Sequence, residues 1–85
     1  MWILELAFTP TEERLAARPA HRERLAALRA AGAVHMAGPL ADDSGAVLLL
    51  NVPDRAAADA IIAADPYYTT DGVTIHQLRE WNPLP

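Results

Sequence analysis

An α+β domain in strand–helix–strand–strand–helix–strand order is what this sequence predicts, on three observations. Apolar residues recur at helical spacing in two stretches, through Leu25 and Leu28 and again through Ala58, Ile61 and Ile62. Alternating or wholly apolar runs, the mark of strands, occupy positions 2–8, 33–40, 46–52 and 73–78. A chain of 85 residues has room for a single core, so one domain over 1–85 holds all six elements.

Each element has a local reason. In 2–8, Trp2, Leu4, Leu6 and Phe8 face one way and Ile3, Glu5 and Ala7 the other, and Thr9-Pro10-Thr11 ends the strand. Residues 11–14 read as a short turn. Pro19 is well tolerated in a first helical turn, which places the first helix at about 19–31 with Gly32 as its C-terminal cap. The strand at 33–40 closes at Gly38-Pro39, and the polar loop 41–45 leads into the strand at 46–52. Asp54 is a good N-cap for a second helix, which stops at about 64 because Pro66 pushes Asp65 out of the α region. A loop at 67–72, the last strand at 73–78 and a tail at 80–85 complete the chain.

This order is the split βαβ pattern of ferredoxin-like folds, an antiparallel four-stranded sheet with two helices on one face. The run AVLLLNV is apolar on both of its faces, since Val47 and Leu49 alternate with Ala46, Leu48, Leu50 and Val52. Two helices cover only one face of the sheet. The other face, which also carries Ile3 and Ala7, calls for a second copy packed sheet against sheet. A homodimer through the open sheet face, forming a dimeric α+β barrel, is therefore expected. With no cysteine there is no disulfide to help so small a domain, and the extra burial matters more.

Composition removes several function classes. The net charge is −4, all cations are arginine, and the charges intersperse, so there is no basic footprint for nucleic acid. The longest apolar run, AVLLL, is far too short to span a bilayer, and MWILELAF lacks the positive lead of a secretory signal. A cytoplasmic protein that engages neither nucleic acid nor membrane is expected. No phosphate loop, dinucleotide fingerprint or flavin motif occurs, and no cofactor is expected.

Two polar residues stand where core residues belong. His21 shares a helical face with Leu25 and Leu28, and Asp65 continues the face of Ala58, Ile61 and Ile62. The two helices run antiparallel in this topology, so the start of the first lies near the end of the second. His21 and Asp65 should then meet. A carboxylate on one ring nitrogen fixes the tautomer and raises the basicity of the other, which makes a histidine a general acid/base. A cationic histidine at a helix start and an anionic aspartate at a helix end both oppose the helix dipole, which favours a functional reason for the placement. The structural alternative makes His21 a satisfied helix-start residue and Asp65 a turn former before Pro66.

Other polar residues are weaker candidates. Arg14 and Arg18 can clamp a substrate carboxylate, or simply be solvated. Tyr67, Tyr68 and Trp81 can wall an aromatic ligand, and Trp81 can equally anchor the tail on a partner subunit. His35 and His76 fall in the second and fourth strands, at opposite edges of the sheet, so no metal site is expected. Ser44 lies in a turn-like DDSG without a neighbouring histidine, and Asp42 and Asp43 read as loop solvation. Glu5 points to the dimer-facing side.

His21 with Leu25 and Leu28, Gly32, Ala37-Gly38-Pro39-Leu40, Gly45, Asp65-Pro66-Tyr67, Gly72 and Trp81 together resemble the YCII-related (YciI-like) family, nearly end to end. The resemblance implies a small dimeric α+β barrel, related in fold to muconolactone isomerase, with an active site on the residues matching His21 and Asp65. One branch of the family is linked to dehydrochlorination of hydroxylated aromatic rings. The chain departs from a generic member in its TPTEERLAARPA connection and in the polar loop 67–71. The resulting expectation is a cofactor-free lyase or isomerase acting on a small hydroxylated cyclic or aromatic molecule. His21 and Asp65 are its catalytic residues, and Arg14, Arg18 and Tyr67 bind the substrate. The alternative is a non-catalytic dimeric module that binds a small ligand or a protein.

Overall fold

A computed structural model describes all residues, 1–85. Its elements are β1 (Trp2–Phe8), α1 (Glu12–Ala30), β2 (Val34–Pro39), β3 (Gly45–Leu50), α2 (Arg55–Ala64) and β4 (Val73–Glu80), with a 3₁₀ turn at Pro66–Thr69 before β4. The strands form one antiparallel sheet in the order β2-β3-β1-β4, the ferredoxin-like arrangement. The register pairs Leu4 with Leu48 and Leu6 with Ala46, so their side chains share one face. Leu4, Leu48 and Leu50 are essentially fully buried there, each contributing about 1.5–3 kcal/mol. Ala17, Leu25 and Leu28 from α1 and Ala58 and Ile62 from α2 pack against the same cluster. Both helices therefore cover one face. On the other, Ile3, Glu5, Val47 and Leu49 are half-buried and Ala7 and Met36 are exposed.

The first helix begins well before Pro19. Residues 11–14, expected as a turn, are its N-terminus: the Thr11 hydroxyl accepts from the Arg14 N–H at 3.1 Å, and Glu12 and Glu13 suit the positive end of the helix. The same hydroxyl donates to the Asp71 carbonyl at 2.7 Å, which ties the helix start to the approach to β4. Gly72 completes this junction with φ +95°, and a Cβ there would strike the Thr11 hydroxyl and the Thr9 carbonyl. Pro19 then sits inside α1, where it lacks only the N–H that would bond the Leu15 carbonyl. The other end is as expected. Gly32 has φ +84°, and the N–H groups of Gly32 and Ala33 bond the carbonyls of Arg29 and Leu28, closing a Schellman motif.

The remaining boundaries shift modestly. β2 and β3 are shorter than expected, and β4 runs on to Glu80, into the expected tail. In β4 Gln77 pairs with Glu5 but Ile75 pairs with Leu6, so His76 is the extra residue of a bulge. Asp54 caps α2 as expected, its Oδ1 accepting from the Ala57 N–H at 2.9 Å.

Candidate functional site

His21 and Asp65 meet in the interior. The imidazole Nδ1 lies 2.7 Å from Asp65 Oδ2, and both side chains are buried. A carboxylate at this distance accepts, so Nδ1 donates and the neutral ring keeps its lone pair on Nε2. Loss of the histidine would strand a buried carboxylate, at a cost of about 3–5 kcal/mol. The route to this meeting differs from the expected one. His21 lies midway along α1, where the Pro66–Thr69 turn that Asp65 caps packs against it through Tyr67 and Tyr68. The helix-dipole conflict expected for His21 consequently does not arise, because the dipole acts only within the terminal turns.

Asp65 serves two elements at once. It ends α2 and caps the 3₁₀ turn, its Oδ1 accepting from the Tyr67 N–H at 3.0 Å while Oδ2 holds His21. That N–H also answers the unfavourable end of α2. The turn in consequence sets Tyr67 flat against the imidazole, with centroids 4.0 Å apart and planes 12° apart, and Tyr68 edge-on at 5.4 Å. One carboxylate thus fixes the edge of the imidazole directly and its face through the turn that follows.

Arg14 is the third buried polar residue. Its guanidinium stacks over the Phe8 ring at 4.4 Å, and Nη2 donates to Asp43 Oδ2 at 3.2 Å. The Tyr67 hydroxyl above all, and then Asp43, raise its pKa against the opposing effect of burial. No bond to Nε or Nη1 meets hydrogen-bond geometry, however, and both are buried. Arg14, His21 and Tyr67 line a cavity of about 220 Å³, closed by Ala37, Gly38 and Pro39 of β2.

With this geometry in hand, the sequence profile of the YCII-related domain matches residues 1–82. The chain belongs to the YCII-related family. No curated protein matches it significantly.

In this YCII-related domain the sequence-derived candidates divide cleanly. Arg18 lines the same cavity, as do Arg22 and Leu25. The solvated reading of Arg14 is wrong, because α1 starts early enough to carry it under the sheet edge. Asp43 is more than loop solvation: it pairs with Arg14 from the β2–β3 hairpin, at φ +59°. Neither Asp43 nor Arg22 was expected, and the only signal for Arg22 was its four-residue spacing from Arg18. Asp42 instead accepts from the Ser44 hydroxyl and N–H, which lowers its pKa and occupies the serine. His35 and His76 lie on the two edge strands, outside the site. His76 is 3.7 Å from Glu5 on the open face, and exposed Trp81 bonds the Met1 carbonyl through its N–H.

Proposed function

We propose that this YCII-related domain is a cofactor-free enzyme of the lyase or isomerase class, moving a proton on a small hydroxylated cyclic or aromatic molecule. His21 acts as general acid/base through Nε2, and Asp65 orients it. The observation that carries this reading is the buried 2.7 Å bond, which commits Nδ1 to the carboxylate and leaves Nε2 for the cavity that His21 lines. Nε2 takes a proton from a position next to a carbonyl or enol and returns it to the product or the leaving group. Stacked Tyr67 keeps the ring from turning as its charge changes. An engineered cavity of roughly 150 Å³ holds benzene, so about 220 Å³ admits one substituted ring. Arg14 and Arg18 meet its polar groups, and Tyr67 its ring.

The working unit in this reading is a homodimer. Half-buried Ile3, Val47 and Leu49 surround Glu5 on the open sheet face, a largely apolar surface that a second copy would cover. The lack of cysteine fits a cytoplasmic setting, and no helix is long and apolar enough to cross a membrane.

Turnover of hydroxylated cyclic acids and enols by the purified chain, followed for wild type and two variants, is the test. His21→Asn keeps a donor for Asp65 and removes Nε2, and should lower turnover by about 10²–10⁴-fold without unfolding. Asp65→Asn should lower it too, and nitrogen NMR should show the ring losing its fixed Nδ1–H tautomer. Unchanged turnover in His21→Asn would leave a ligand-binding module as the reading.

A further inference from the structure

We propose that the cavity recognises its ligand by a carboxylate, and that Asp43 is the internal counter-ion which this carboxylate displaces from Arg14. The proposal rests on the reading above only in taking the cavity as the ligand site, and adds the charge that the ligand must carry. Its first support is Arg14 itself. The side chain is 6% exposed, and only Nη2 has a partner, the carboxylate of Asp43. Nε and Nη1 are buried donors with none. The Tyr67 hydroxyl is the neighbouring internal oxygen but stands outside hydrogen-bond geometry, so a buried permanent cation keeps donor capacity that a ligand carboxylate can use.

The second support is the balance of charge. Arg14, Arg18 and Arg22 follow one another at four-residue steps along α1, and all three line the cavity. The only carboxylate among the lining residues is Asp43. Three cations face one anion inside a chain whose net charge is −4, so the cavity attracts what the rest of the molecule repels.

The third is the character of Asp43. Its side chain is 53% exposed, and it rides on the β2–β3 hairpin tip, held to Arg14 by a single bond of 3.2 Å. Such a carboxylate leaves readily for water. The planar guanidinium suits a carboxylate, and the apolar part of the lining, Leu25, Ala37 and Leu48 with Phe8, suits the aryl ring that carries it.

Calorimetric titration of the full chain with benzoate, neutral benzamide and inorganic phosphate tests this. Benzoate should bind at least about tenfold tighter than benzamide, the worth of a charge-assisted hydrogen bond. Asp43→Asn should tighten benzoate about three- to fivefold, as expected for removing a half-exposed ion pair, and leave benzamide alone. Arg14→Gln should abolish the preference. Because replacing a buried arginine endangers the fold, the hairpin variant decides. Equal binding of benzoate and benzamide, tighter binding of phosphate, or weaker benzoate binding in Asp43→Asn would each overturn the proposal. Asp65→Asn separates the two readings, since it breaks the catalytic pair but should keep the benzoate-to-benzamide ratio.

Discussion

Tyr68 buries its hydroxyl in the core with no hydrogen-bond partner. Burial, and then the nearby Asp65 and Tyr67, push its pKa well above the ordinary 10.0. A raised pKa means that the folded state holds this proton more tightly than the unfolded chain does. The resulting stability is complete below pH 10.0 and is lost as pH rises above it. Urea denaturation at pH 7 and pH 11 should therefore show an alkaline loss that Tyr68→Phe reduces. At pH 7 the same variant should be as stable as wild type or more so, by up to about 1 kcal/mol, since it removes an unsatisfied buried group. The contrast with Asp65 is instructive. Both residues are buried and polar, but each oxygen of Asp65 has a partner, and the cost of its burial is met within the site.

At the scale of elements, α1 carries the largest departure from what local signals indicate. Pro19 lies in its interior, and the helix persists because Thr11 caps one end, the Schellman motif closes the other, and Ala17, Leu25 and Leu28 pack on the sheet. Pro19→Ala restores the bond to the Leu15 carbonyl and relieves the ring, set against some entropy regained by the unfolded chain. A net gain of about 1–2 kcal/mol is expected, read as a rise in Tm of at least about 4 °C. A lower Tm would mean that the proline shapes the helix for packing. The length of α1 matters to the site as well. A helix starting at 19 would have left Arg14 in a surface turn, and the cavity would have lost its buried cation.

For the whole molecule, the unresolved term is the open sheet face. Helices bury Leu4, Leu48 and Leu50, while Val47, Leu49 and Met36 remain on the far side with no covering element of this chain. Light scattering at micromolar concentration should report a dimer, and Val47→Asp should shift it to monomer by placing a second carboxylate opposite Glu5 on that face. A wild-type monomer would refute the dimeric barrel. The cavity lies on the helix side, so the variant should keep the His21–Asp65 pair intact.

Read alone, the sequence determined the element order, the sheet class and both helix C-terminal stops, and it paired His21 with Asp65 from a helix start that the structure moves. These follow from apolar period, from Gly32 and Pro66, and from the antiparallel course of two crossover helices, all of them local or topological signals. Tertiary structure alone decided where α1 begins, because a proline that signals a helix start can be overruled by a cap and by packing. It alone decided that Arg14 is buried and that Asp43, from a distant hairpin, is its partner. A charge looks solvated in sequence whether or not a neighbour 29 residues away reaches it. Only packing in three dimensions distinguishes a surface arginine from a buried cation with donors left open.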